Sequence, residues 1–257
     1  MSVCGTWHAV RADDHRAVLD AFGLSSVEPA TMRLGEDIWR HDSRSGYSGP
    51  PHSRCARAYL SPVLDGWILV FGQFNEHWRR VSTGDEPMRF DSEEFRAILK
   101  ARNSSRREHC AELSSRLGTV HWYASSCDGW TAWCVAENGV VVRFYDEDLP
   151  EEQSGAPLPV EAGCKLPHEY VEWPGLDEAF DKYRPDTPEG KERLAAELRR
   201  LKETYNIPDT CDATRVAEHL SVSLRELGPH TEVRGHGLVA LTRCGRDHGH
   251  PPGALSI

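Results

Sequence analysis

No stretch of this chain approaches the roughly 18 consecutive apolar residues of a membrane-spanning helix, so no membrane span is expected. The opening residues, MSVCGTWHAVRADDH, lack a basic stretch followed by an apolar run, and no signal peptide is read there. There is no CxxC pair, no glycine-rich phosphate loop of the GxGxxG or GxxxxGK[ST] type, no HExxH, no GxSxG and no EF-hand pattern. Those absences remove the common cofactor, metal and nucleophile signatures, so no cofactor, no metal and no catalytic residue are expected. Positive charge is short as well. Thirty basic residues face 40 acidic ones, a net charge of −10, which disfavours nucleic acid and anionic membranes as partners. Lysine and isoleucine are scarce, a bias of GC-rich genomes of the actinobacterial kind with no direct bearing on the fold.

What is present is a globular composition. The chain has 257 residues, 39% of them hydrophobic and 27% charged, enough for a full core in one or two domains and too apolar for disorder. Eight cysteines are scattered one per element. With no export signal visible, they read as reduced, small apolar residues in a cytoplasmic protein.

Three regions follow from the pattern: an α+β core over 1–150, a strap rich in proline and glycine over 151–175, and a helical region over 176–257 with a short strand and a Gly/His tail. Residues 13–23 predict a short helix capped by Asp13 or Asp14 and stopped by Gly23. Residues 41–53 read as a polar loop. Asp65-Gly66 between two apolar runs predicts a type I′ hairpin, apolar on both faces. Residues 91–117 predict a long helix broken near Asn103. A meander follows, with turns at Asp128-Gly129 and Asn138-Gly139. Helix then hairpin occurs in each half, and His15-x-Ala17-x-Leu19 echoes His109-x-Ala111-x-Leu113, a weak αββ duplication. Later, Pro188 after Thr187 opens a helix over 188–205. Residues 212–227 read as one or two short helices and 237–242 as a strand. The fold class expected is α+β, an antiparallel, meander-based sheet covered by helices, with a helical C-terminal extension.

If both meander turns have two residues, Tyr123, Cys134 and Arg143 fall in one row across three strands. His121 and Tyr145 lie on the same face, opposite a core face of Val120, Trp122, Trp133, Val135, Val140, Val142 and Phe144. His121, Tyr123, Cys134, Arg143 and Tyr145 are the candidate binding face. Arg143 suits an acidic peptide or carboxylate ligand, and Cys134 beside an arginine and a histidine suits a reactive thiolate. The competing expectation is burial beneath the 91–117 helix, with Arg143 paired to one of its acids. TRVAEHLSVSLRELG has the core spacing of a helix-turn-helix over 212–228. Its turn, however, has Ser221 in place of glycine, and residues 206–250 carry five basic against six acidic side chains. Cys244, His248 and His250 have ligand chemistry but no partnering CxxC, and read as a solvated tail. Asp65 and Asp128 are turn residues that need no catalytic explanation.

The runs SPVLDGWILVFG, LSSRLGTVHWYASSCDGWTAWCVAENGVVVRFYDED and VAEHLSVSLRELG resemble a group of uncharacterised bacterial proteins common in actinobacteria. These share an SP-x-x-DGW-x-L-V-x-G hairpin, an LS-x-x-x-G helix end and a tryptophan-rich meander. The resemblance spans roughly half of the chain. It implies the fold, places the late SV segment in the same domain and implies no activity. The leading expectation for function is a non-catalytic interaction or accessory protein, the immunity proteins being one example, with a protein partner or a carboxylate ligand. A DNA-binding regulator using 212–228 and a thiol enzyme using Cys134 are the alternatives. The oligomeric state is left open.

Overall fold

A computed structural model describes residues 5–45, 55–74, 92–126, 129–169, 171–250 and 253–255. The chain divides into two compact units, one of residues 1–157 and 213–257 and one of residues 158–212. This differs from the regions expected at 150 and 175. The reason is a strand, β10 (Gly237–Leu241), that returns to the first unit's sheet, one place in from its edge.

The larger unit is α+β. Its strands are β1 (Gly5–Arg11), β2 (Ser25–Ala30), β3 (Arg57–Leu64), β4 (Trp67–Phe71), β5 (Thr119–Ser125), β6 (Thr131–Glu137), β7 (Val140–Asp146), β8 (Ser154–Gly155), β9 (Val233–Arg234) and β10. They form one open antiparallel sheet in the order β2-β10-β3-β4-β1-β5-β6-β7-β8, and β9 pairs with the far end of β3. The helices are α1 (His15–Ala21), α2 (Met32–Ser45), α3 (Glu93–Leu117), α6 (Ala213–Leu220) and α7 (Arg243–His248). Among the described residues no helix is long and apolar enough to cross a membrane.

Local chemistry explains most boundaries. The Asp14 carboxylate accepts from the Arg16 amide and starts α1, and Ser92 Oγ accepts from the Phe95 amide at the start of α3. Asp65 and Gly66 both adopt positive φ, +48° and +81°, so Leu64 pairs directly with Trp67 in the two-residue turn expected from the sequence. Both β3 and β4 are buried along their whole length. The expected break in α3 does not occur, because Asn103 lies fully buried within a continuous helix. Residues 41–45, expected in a loop, extend α2, and the rest of that loop lies outside the described residues. Between α1 and the first hairpin the chain inserts β2 and α2, so the helix–hairpin of the first half is not contiguous.

The meander forms, but its register differs from the expected one. Asn138-Gly139 is a two-residue turn, with Glu137 opposite Val140. Val142 is then an extra residue in β7, and beyond this bulge Cys134 lies opposite Phe144. At the other turn Ser125 pairs with Thr131, so the loop has five residues and Cys134 lies opposite Trp122. Part of that loop, Cys127 and Asp128, is outside the described residues. One residue of slip turns side chains to the other face. Trp133 therefore leaves the face of Trp122 and joins Tyr123.

The result is an unbroken cross-strand row of aromatic residues over six strands: Tyr59, Phe71, Trp7, Tyr123, Trp133 and Tyr145. None is more than 2% exposed. Trp7 lies 5.4 Å from Tyr123 and Trp133 4.4 Å from Tyr145, ring centre to ring centre. Helix α2 covers one end of this row. Its Gly35 has no Cβ where one would meet the Tyr59 ring, and Trp39 packs 5.7 Å from Phe71. Helix α6 packs on β5 and β6, its Ala213 amide donating to Thr131 Oγ1 at 2.8 Å. The opposite face packs on α1 and α3 through Val10, Ile68, Val70, Val120, Val18 and Leu113.

Cys55 and Cys244 form a disulfide, their Cα atoms 5.9 Å apart across 189 residues of sequence. This corrects the expectation of eight reduced thiols. Scatter along the sequence is not scatter in space, because the Thr242 amide donates to the Ala56 carbonyl at 3.0 Å and holds α7 against the start of β3. Alkylation of denatured protein without reductant is expected to label Cys110 and Cys134 but neither Cys55 nor Cys244. Labelling of both would show that the bond is not formed.

The smaller unit holds α4 (Leu176–Lys182) and α5 (Pro188–Thr204), which pack through Ala179, Leu194 and Leu201. Thr187 Oγ1 accepts from the Gly190 amide, with Pro188 at the first helical position as the sequence predicts. A parallel bridge joins Lys165 to Thr210.

Candidate functional site

The structure closes the face expected to bind. His121, Tyr123, Cys134, Arg143 and Tyr145 are each 3% exposed or less. Four of them share a face, but Cys134 does not. It points at α3, beside Trp122 and Phe144. His121 Nδ1 and the Tyr123 hydroxyl lie 3.0 Å apart, and the His121 ring packs 5.1 Å from Trp67. Burial lowers the His121 pKa to about 4 and pushes the Tyr123 hydroxyl up. Arg143 donates to Gln153 Oε1 at 3.0 Å and weakly to the Ser154 carbonyl at 3.4 Å. Neither residue is on α3, which lies on the other face, so the expected pairing of Arg143 with an acid of that helix does not form. The Cys134 thiol is held well above its ordinary range by a hydrogen bond with Cys110 and then by burial, the reverse of what a nucleophilic thiolate needs.

The segment read as a helix-turn-helix yields a single helix, α6. Residues 221–228 form bends and turns, with Val222 and Leu224 buried, so no second helix presents itself to a groove. Cys244 is committed to its disulfide. Among the described residues no three His, Cys, Asp or Glu side chains are grouped to hold a metal.

A different site lies between α3 and the sheet. A pocket of about 210 Å³ is lined by Thr6 and His8 of β1, Gly72 to Phe74 after β4, Arg102, Arg106, His109 and Cys110 of α3, and Trp122 of β5. Helical geometry assembles the α3 wall. Arg102, Arg106, His109 and Cys110 follow at spacings of three and four, in line with buried Leu99 and Leu113. On the sheet, His8 and Trp122 are directly paired, so both project toward the helix.

The polar groups are fixed by one carboxylate. Asp146 is buried and uses Oδ1 to accept from Trp130 Nε1 at 2.9 Å and from the Asp148 amide at 3.1 Å. Its Oδ2 lies 3.3 Å from Arg102 and 3.5 Å from Arg106, which share it. Asp148 adds a 3.4 Å contact to Arg102 at the rim, where burial and then Asp146 raise its pKa. The Arg106 guanidinium carbon lies over the Trp122 ring, 4.5 Å from its centre, and burial together with Arg102 lowers its pKa to about 9 despite Asp146. His8, 5.7 Å from His109, is shifted well below the ordinary histidine range by burial and then by His109; burial also lowers His109. Both imidazoles are therefore neutral at pH 7, each with one N–H donor and one acceptor.

Several of these groups lack a protein partner. His8 Nδ1, His109 Nε2 and Arg102 Nε are buried without a hydrogen bond from the described residues, as is Asn103 Nδ2 behind them. The hydrogen bonds of Arg106 to Asn103 Oδ1 and Asp146 Oδ2 both leave from Nη1. Sequence reasoning missed this site because GTWHAVR was not read as a strand, leaving His8 unplaced. The available signal was two arginines and a histidine inside the apolar stripe of α3, where surface polarity is not expected.

No protein-family model, no curated protein and no solved structure matches the chain.

Proposed function

We propose that this chain is a non-catalytic binding protein whose recognition element is the pocket between α3 and the sheet, sized for a small molecule. The observation that carries this reading is that three of the residues lining the pocket hold a buried polar atom without a partner among the described residues: His8 Nδ1, His109 Nε2 and Arg102 Nε. Each such atom costs roughly 1–3 kcal/mol when left unsatisfied, a cost that recognition of a ligand explains. The absence of catalysis is supported by the chemistry present. No carboxylate orients either imidazole among the contacts described, and the Cys134 thiol is held protonated. A small ligand is favoured over a protein partner, the immunity type included. Among the described residues the exposed large apolar side chains are few, Val27, Val140, Phe180, Tyr205, Val233 and Leu255, and they are spread over six segments of the chain.

The test is a fragment screen by saturation-transfer NMR, using anionic, cationic and neutral single-ring compounds against the wild type and Thr6→Phe. Thr6 is half-buried at the pocket wall, so the larger ring fills the cavity. Hits that disappear in Thr6→Phe, at unchanged melting temperature, are expected. Hits that persist in that variant, or no hits at all, overturn the proposal.

A further inference from the structure

The polar wall of the pocket also has a definite charge and shape, and these select among small molecules. The inference rests on the pocket being a binding site. Arg102 and Arg106 stand one helical turn apart on α3, so their guanidinium groups lie side by side. They share a single oxygen of Asp146, at 3.3 and 3.5 Å, the long end of hydrogen-bonding range. Each guanidinium has five N–H donors, and Asp146 occupies few of them. Trp122 lies beneath Arg106, and this contact together with the bonds to Asn103 and Asp146 holds the guanidinium in place before any ligand arrives.

The charge count is small. Among the lining groups, two arginines face the buried Asp146, while Asp148, with a side chain 42% exposed, sits at the rim on Arg102. His8 and His109 bring no positive charge at neutral pH, for the reasons given above. Asp146, and in part Asp148, already offset the two arginines, so the interior takes at most one further negative charge, not two. The remaining wall sets two aromatic rings beside Thr6 and Gln73. Phe74 and Trp122 line it, and Phe74 packs against Phe22 and the two histidines. The volume of about 210 Å³ compares with the roughly 150 Å³ apolar cavity that accepts benzene, so it takes one ring and a substituent.

We infer that the pocket selects a single-ring monocarboxylate, its carboxylate on the Arg106 and Arg102 N–H groups, its ring against Phe74 and Trp122, and a polar substituent toward His8 and His109. A carboxylate is matched by a guanidinium fork and carries one charge, whereas a phosphoryl group near neutral pH carries up to two.

The experiment is calorimetric titration of the wild type with 4-hydroxybenzoate, its neutral isostere 4-hydroxybenzamide, and phenylphosphonate. The benzoate is expected to bind at least about tenfold more tightly than the benzamide, the usual order for a hydrogen bond gaining a charge. It is also expected to bind more tightly than the phosphonate. Arg106→Gln should remove the benzoate preference, so that benzoate and benzamide bind with similar affinity. The three-ligand comparison is made on the wild type, so it decides the matter even where that variant does not fold. Benzamide binding equal to benzoate overturns the carboxylate assignment and leaves the pocket proposal standing. Tighter phosphonate binding overturns it in favour of a phosphoryl ligand. Failure of all three ligands, together with an empty fragment screen, overturns both.

Discussion

Trp133→Ala is expected to lower the unfolding free energy of the larger unit by about 3–5 kcal/mol, the range for removing a buried tryptophan. The residue is fully buried, faces Tyr123 and Tyr145 on the neighbouring strands and stacks 4.4 Å from the latter. Its removal interrupts the aromatic row one place from its Tyr145 end, where flanking rings held by two other strands cannot collapse into the space. A melting-temperature fall on the order of 10 °C follows for a unit of this size. Trp133→Phe supplies the contrast. The indole Nε1 has no partner, so phenylalanine keeps a ring and removes an unsatisfied donor; its expected cost is about 1 kcal/mol. A Trp133→Ala variant melting within a few degrees of the parent would show that the row is not packed as described.

The second large effect concerns Arg57 on β3. Its guanidinium grips Asp42 of α2 with two bonds, Nε to Oδ2 at 2.8 Å and Nη2 to Oδ1 at 2.7 Å, with side chains 1% and 6% exposed. A third bond runs from Nη1 to the Leu255 carbonyl at 2.8 Å. Arg57→Met strands a buried carboxylate and is expected to cost about 3–5 kcal/mol. Adding Asp42→Leu should recover most of that loss, because removing both charges of a buried pair is often close to neutral. Chemical denaturation of the two single variants and the double variant gives the coupling directly. Losses that simply add would mean the pair does not interact as its geometry indicates.

How much of this was legible in the sequence depended on whether a signal was local. Asp65-Gly66, Asn138-Gly139, the Thr187 cap and the α+β class are local or nearly so, and all appear as expected. The meander register was not local. It depended on a five-residue loop and on one bulged residue, Val142, that alternation alone does not reveal. Because of the loop Trp133 rather than Cys134 lies opposite Tyr123, because of the bulge Cys134 lost Arg143, and the proposed thiol–guanidinium row dissolved. The pocket was hidden for a related reason. Arg102, Arg106 and His109 look like solvated helix residues until a strand containing His8 is known to lie beneath them. The pairing of β1 between β4 and β5 joins residues as distant as Trp7 and Phe71 on one side and Gly5 and Ser125 on the other, and nothing in GTWHAVR names its neighbours.

The position of β10 bears on how the chain is made. Strand β2 has only β10 as a neighbour, and β10 is also the partner of β3 along Arg57 to Leu60. A ribosome delivers β2 and β3 long before Gly237. Until then β2 has no ladder to join and β3 keeps one side open, so two strand edges wait unpaired through the synthesis of some 170 residues between Leu64 and Gly237. Such edges invite pairing with other chains. The nascent protein therefore has a window of exposure that ends only when its last strand slots into the gap, and slow translation or premature termination upstream of Gly237 would feed aggregation rather than a smaller folded product.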